Sequence, residues 1–203
     1  MKKRASDFYS RMRERRTVRE FSDQPVDRVV IEDCLRAAAT APSGANQQPW
    51  QFVVVSSPGV KRQIRESAEK VEKNFYSKKA TLQWRETLKP LKTGPSKPFL
   101  ETAPYLIVIF SQIFSYSAKG EKQKHYYVNE SVGIAAGMLI TALHNAGLAA
   151  LTYTPVSMRF LNKLLSRPSN EKPFMILVVG YPSESALVPA IQKKTLADIS
   201  VFL

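Results

Sequence analysis

The chain has 203 residues, enough for one domain with a substantial core, and 44% of them are hydrophobic, which excludes a disordered or fibrous protein. Thirty Lys and Arg stand against 17 Asp and Glu, a formal net charge of +13, and the one cysteine excludes an internal disulfide. No apolar run approaches the roughly 20 residues that cross a bilayer, and the opening Met-Lys-Lys-Arg has no apolar signal core. A soluble, cytoplasmic protein with no membrane partner is expected. The basic excess sits in the first 19 residues, in 61–97 and in 119–124. Aromatics are not interleaved there as stacking platforms, so no nucleic-acid partner is expected.

In chain order, a first helix is expected through Phe8 and Met12 toward Arg15, and Ser22-Asp23-Gln24-Pro25 turns the chain into a second. Across 26–40, Val29, Val30, Cys34, Leu35, Ala38 and Ala39 recur at helical spacing, which predicts a core-packed helix with Cys34 buried rather than catalytic. Residues 52–55 read as a buried strand ended by Pro58 and Gly59, and 60 to about 74 as an exposed helix of mixed charge. The stretch 75–99 differs: many lysines, Pro90, Gly94, Pro95 and Pro98, and few apolar anchors, the composition of a mobile lid or a disordered connection. A second buried strand at 103–110 leads to a long helix at about 126–145. A third strand at 148–152, broken at Thr154-Pro155, precedes a short helix at 159–165 and a fourth strand at 175–179. Helices alternating with strands, without repeats, predict one α+β layered domain over 1–203 with a mixed central sheet flanked by helices. Ser131, Gly133, Ala135, Ala136 and Gly137 on the long helix suit a subunit interface or a core backing a cofactor.

Three clusters carry chemistry. In residues 41–50, Ala-Pro-Ser-Gly-Ala-Asn-Gln-Gln-Pro-Trp, the small side chains of Ser43, Gly44 and Ala45 let backbone amides approach a flat or anionic ligand, and Asn46, Gln47 and Gln48 offer amide donors and acceptors. The alternative is a polar helix-to-strand connection. Arg15-Arg16-Thr17-Val18-Arg19 sets three arginines and a hydroxyl within five residues, both charge and forks for a phosphate. The alternative is a solvated basic face. Glu72 and Tyr76, four apart, share one helical face, and Lys97 can fold over from the far side of the lid. Anion, donor and cation are what a zwitterionic amino acid requires; the alternative is a surface glutamate among scattered lysines.

With Arg15-Arg16-Thr17-Val18-Arg19 near its start, Ala41-Pro42-Ser43-Gly44-Ala45 followed by Pro49-Trp50, and a late Gly180-Tyr181-Pro182, the chain resembles the flavin-dependent nitroreductase superfamily over nearly its whole length. Glu72, Tyr76 and Lys97, His125-Tyr126-Tyr127, and Thr152-Tyr153-Thr154-Pro155 are similar to the iodotyrosine deiodinase branch of that superfamily. The resemblance implies a nitroreductase-like fold in an intertwined homodimer, with two FMN sites at the interface, each built from both chains. It implies that Arg15, Arg16, Thr17 and Arg19 hold the FMN phosphate and ribityl chain. Lys193 adds a cation from the tail, where the family often has arginine, keeping the charge but not the bidentate fork. By the same resemblance Pro42, Ser43, Gly44 and Ala45 line the isoalloxazine, residues around Gln47 and Gln48 reach the site from the partner chain, and Thr152, Tyr153 and Thr154 complete it. No metal site is expected.

The reaction so implied is reductive dehalogenation of halotyrosines, iodotyrosine to tyrosine plus iodide, in sequential one-electron steps. The electrons come from NAD(P)H, directly or through an external reductase. The substrate ring stacks on reduced FMN as a phenolate held by the Ala45 amide, while Glu72, Tyr76 and Lys97 take the amino-acid end and the lid at about 72–99 excludes water. Thr154 sets its hydroxyl against flavin N5, favouring one-electron transfer; its alternative is to cap the turn before Pro155. Two further readings are an NAD(P)H-dependent nitroreductase or quinone reductase, which leaves Glu72, Tyr76 and Lys97 without a role, and a binding module with no turnover.

Overall fold

The structure, a computed structural model, describes residues 1–88 and 93–203; the part of the expected lid at 89–92, with Pro90, lies outside the described residues. In chain order the elements are α1 (Lys2–Glu14), α2 (Arg28–Ala39), β1 (Trp50–Val55), α3 (Pro58–Lys78), α4 (Leu82–Leu88), α5 (Phe99–Thr102), β2 (Tyr105–Gln112), β3 (Phe114–Tyr116), β4 (Lys122–Lys124), α6 (Val128–Asn145), β5 (Ala149–Tyr153), α7 (Phe160–Leu164), β6 (Glu171–Gly180) and α8 (Leu196–Ile199). No described helix is long and apolar enough to cross a membrane.

Four strands form one sheet in the order β1-β2-β6-β5, each neighbouring pair antiparallel. The parallel component expected of the sheet is confined, among the described residues, to a single bridge between Thr17 and Ala150. The central strands β2 and β6 read as unbroken apolar runs because both faces of the sheet are covered. Alternate residues enter two cores: Leu106, Val108, Phe110, Ile176 and Val178 pack on one side, and Ile107, Ile109, Leu177 and Val179 on the other. The first core is closed by residues of α3, α5 and α7, and the second by α2 and α6.

On α2 the Asp27 carboxylate accepts from the Val29 amide at 2.9 Å, and Ile31, Cys34 and Ala38 turn inward at helical spacing. On α6 the inward face is Val132, Ala135, Ala136, Leu139 and Leu143, with Ser131 at its start. Its opposite face stays bare. Ile134 is 45% exposed, and a Cβ placed on Gly133 or Gly137 would meet no atom within 4 Å.

Three stretches differ from expectation for identifiable reasons. Helix α3 is longer than 60–74 and is not an exposed helix: Lys61, Ile64, Ala68 and Glu72 form a buried stripe along it. The two charged members hide the stripe in a sequence pattern, and Lys61 is tolerated because its ammonium donates to the Ala103 carbonyl at 2.7 Å. Within 75–99, α4 is anchored by edge-to-face rings, with Phe75 and Tyr76 at 4.9 and 5.2 Å from Trp84. The hairpin β3–β4 was not expected, since its second strand, Lys-Gln-Lys, is fully exposed and has no alternation to read.

Candidate active site

The Arg15–Arg19 stretch leaves α1 extended and is pinned at two points. Thr17 bridges Ala150 at the start of β5, and Phe21 bridges Pro182, while Val18 and Phe21 sink into the first core. Arg15 and Arg16 border a cleft of about 440 Å³ that also takes in His144, Asn145 and Ala150. Arg16 rests its guanidinium on the carbonyls of Arg13 and Arg15, at 2.6 and 3.1 Å. Arg19 is half-buried, and that burial lowers its pKa. Lys193, on the tail, is exposed.

Farther along the same strand, alternation separates the expected triplet. Thr152 and Thr154 are exposed, whereas Tyr153 between them is buried in the first core. Its hydroxyl donates to Glu72 Oε1 at 3.4 Å. Tyr153, expected at the cofactor, therefore turns its side chain toward the lid.

The lid residues converge there. Glu72 is 6% exposed and Lys97 is 3% exposed, both unusual for ionised groups. Burial raises the Glu72 pKa, against the opposing pull of Lys97 and the Tyr153 hydrogen bond. Burial likewise lowers that of Lys97, with Glu72 and Glu69 opposing and the nearby Arg19 reinforcing. The Lys97 ammonium donates to Thr93 Oγ1 at 3.2 Å and to the Gly94 carbonyl, and lies 5.5 Å from the centroid of the Tyr153 ring. Tyr76 is held in the ring cluster with Phe75 and Trp84. Sequence reasoning passed over Glu69, whose carboxylate fixes the lid by accepting from the Lys97 amide at 2.7 Å and from Arg65 at 2.9 Å. The i,i+4 spacing of Arg65 and Glu69 was the available signal.

The loop 41–48 is built with strain. Ala45, Asn46 and Gln48 all hold positive φ, at 49, 52 and 47°, and each such non-glycine residue costs on the order of 1 kcal/mol. Gly44 has no alternative, because a Cβ there would lie 2.9 Å from Tyr127 Cδ2 and 3.1 Å from the Tyr126 carbonyl. Five of the loop amides are satisfied: Ala41 by the Ala38 carbonyl, Gly44 by Ser131 Oγ, Asn46 by the Ser43 carbonyl, Gln47 by the Gly44 carbonyl and Gln48 by Ser43 Oγ. Among the described residues nothing accepts from the Ala45 amide, which stands on an exposed residue. Gln47 is used within its own chain, accepting from the Tyr126 amide at 2.7 Å and donating to the Lys124 carbonyl at 3.4 Å. Pro42 is exposed and Ser43 half-buried beside it.

Two of these clusters lie at one side of the chain and the third far away. Arg15 to Arg19, Thr152, Thr154, Glu72 and Lys97 gather around β5, but the loop packs on the first turn of α6 through Ser131, while Arg11, just before the arginines, is tied to Asn145 and His144 at its last turn. The thirteen residue steps from Ser131 to His144 span about 20 Å at 1.5 Å each.

The cations, the strained loop with its open amide and the exposed threonine face fit a phosphate-bearing planar ligand such as FMN, and the helix-covered antiparallel sheet that carries them defines a flavin oxidoreductase of nitroreductase type. The Nitroreductase family profile matches residues 12–181. Iodotyrosine deiodinase of Haliscomenobacter hydrossis is 50% identical over 201 residues, covering 99% of this chain and 90% of that protein. Iodotyrosine deiodinase 1 of Homo sapiens is 46% identical over 202 residues, 99% of this chain and 70% of that protein. A crystal structure of oxidized iodotyrosine deiodinase bound to FMN and 3-iodo-L-tyrosine superposes with a TM-score of 0.83 at 33% identity, covering 96% of this chain and all of that one. The chain belongs to the nitroreductase family and, within it, to the iodotyrosine deiodinases.

Proposed function

We propose that the protein is an FMN-dependent reductive dehalogenase of halotyrosines. The carrying observation is the pair Glu72 and Lys97: opposite charges, both buried, each pushed toward its neutral form and, among the described residues, neither in a salt bridge. Burying such groups is costly. An ammonium at Glu72 and a carboxylate at Lys97 would supply the missing partners together, and a halotyrosine carries both.

In this reading Arg15, Arg16, Thr17 and Arg19 bind the phosphate end of FMN, with Lys193 as an added cation, and Pro42, Ser43 and Gly44 line its ring. The separation along α6 favours a homodimer, in which the arginines of one chain and the Ala45 loop of the other meet the same cofactor. The bare face of α6 at Gly133, Ile134 and Gly137, and the exposed tail with Leu196, Ile199, Val201 and Phe202, are the apolar surface for such a partner.

Aryl iodide, two electrons and one proton give tyrosine and iodide. FMN, when bound, would supply the electrons one at a time, with NAD(P)H as their source, directly or through a reductase. Ala45 donates its open amide to the phenolate oxygen. Thr154, exposed just past the end of β5, would offer its hydroxyl to flavin N5. Glu72, Tyr76 and Lys97 orient the amino-acid end, and their closure over it removes water from the reacting ring.

Glu72→Gln tests the assignment. Halotyrosine affinity is expected to fall about 100-fold, the cost of removing one side of a desolvated ion pair, while reduction of a nitroarene persists. Unchanged halotyrosine affinity in the variant would overturn the assignment of the lid.

A further inference from the structure

Tyr153 touches both charged residues of the lid, yet it stands on β5, a strand fixed by the sheet. Its register is set opposite Ile176, and its ring packs edge-to-face on Phe99 at 5.7 Å. Phe99 opens α5 two residues after Lys97. The hydroxyl reaches Glu72 at 3.4 Å and the ring lies beneath the Lys97 ammonium at 5.5 Å. Among the described residues, no ion pair joins Glu72 to Lys97 directly.

We infer that Tyr153 is a positioning residue for the substrate clamp: its hydroxyl holds the Glu72 carboxylate and its ring carries the Lys97 ammonium, so that the two charges wait apart for the two ends of an amino acid. This rests on the dehalogenase reading above and deepens it. A direct Glu72–Lys97 ion pair would have to be broken before a zwitterion could bind, and a buried pair resists that. The long hydrogen bond at Glu72 and, at Lys97, the cation–π contact beside neutral hydrogen bonds to Thr93 Oγ1 and the Gly94 carbonyl are weaker partners than an opposite charge, and are exchanged for a substrate ammonium and carboxylate. Both contacts come from one rigid ring on a strand, which fixes their spacing better than a loop could. The same strand carries Thr152 on its other face and leads directly into Thr154, so the clamp and the exposed threonines share one support.

The test is Tyr153→Phe, which deletes the hydroxyl and keeps the ring, with Tyr153→Leu removing both. In FMN-loaded protein, KM for 3-iodotyrosine is expected to rise about five- to tenfold in Tyr153→Phe, with kcat within about twofold of wild type, and to rise further in Tyr153→Leu. The loss in kcat/KM for iodotyrosine should exceed that for a nitroarene by the same factor. An unchanged KM in both variants, or equal losses on the two substrates together with lost FMN, would overturn the inference and leave Tyr153 a packing residue. Absence of halide release by the wild-type protein would instead overturn the dehalogenase reading, and the inference with it.

Discussion

Ser131 and His144 lie on one helix thirteen residues apart, Ser131 bonded to the Gly44 amide of the strained loop and His144 to the Arg11 carbonyl beside the arginine stretch. That helix sets these two anchors about 20 Å apart along its axis, and under the proposed function the loop of one copy serves the arginines of another. A second copy closes the gap if it packs along the bare face of α6. Gly137→Arg, whose Cβ would meet no atom within 4 Å in the single chain, should leave helical content intact while giving a monomer by light scattering and abolishing FMN retention. A dimeric, FMN-loaded variant would contradict the composite site.

Gly44→Ala tests the loop from inside. The added methyl must displace Tyr127 or the Tyr126 carbonyl, an overpacking worth about 1–3 kcal/mol. Calorimetry should show a lower Tm, and flavin titration a weaker FMN affinity, because the shift moves Ser43 and the Ala45 amide together.

The Glu72 carboxyl has its pKa raised by burial beyond what Lys97 and Tyr153 recover, so folding favours its protonated form. Below an unfolded pKa of about 4.3 the group is neutral in both states and its contribution is fully present. As pH climbs through the raised folded value, that contribution is lost. The stability of wild type relative to Glu72→Gln should therefore decline from pH 4 upward and then level off, measured by denaturant unfolding at each pH. Added 3-fluorotyrosine should remove the decline, since its ammonium stabilises the ionised carboxylate.

Glu171 behaves in the opposite sense. Burial pushes its pKa up, but the hydrogen bonds from Arg167, at 2.7 and 2.8 Å, and from Gln112 outweigh this and hold it below the usual range. Its stabilisation is present above about pH 4.3 and is lost as pH falls through the lowered folded value. Glu171→Gln should cost about 2 kcal/mol at neutral pH, less than a fully buried pair because Arg167 keeps 27% of its side-chain surface, and should flatten the acid limb of the unfolding profile.

The elements legible in sequence were those whose pattern comes from one dominant surface. Helices α2 and α6 show their inward apolar stripes, and β2 and β6 show unbroken runs because two cores cover them. Helix α3 escaped because half its buried stripe is Lys61 and Glu72, whose burial depends on partners distant in sequence, the Ala103 carbonyl and Tyr153. The motif residues were identified by type and spacing, which say nothing of direction. That Tyr153 points away from Thr152 and Thr154 follows from strand alternation, whereas its meeting with Glu72 and Lys97 depends on how α3 crosses the sheet. The separation of Arg15 from Ala45 is likewise a property of the assembled fold.

The most direct measurement is halide release. Protein loaded with FMN and reduced with dithionite under anaerobic conditions is mixed with 3-iodotyrosine, and iodide and tyrosine are quantified alongside the return of the oxidised flavin spectrum. Iodide and tyrosine appearing in step, each stoichiometric with the FMN reoxidised, is the predicted result. Flavin that stays reduced with no iodide formed, while the same sample reduces a nitroarene, would contradict the dehalogenase and leave a nitroreductase.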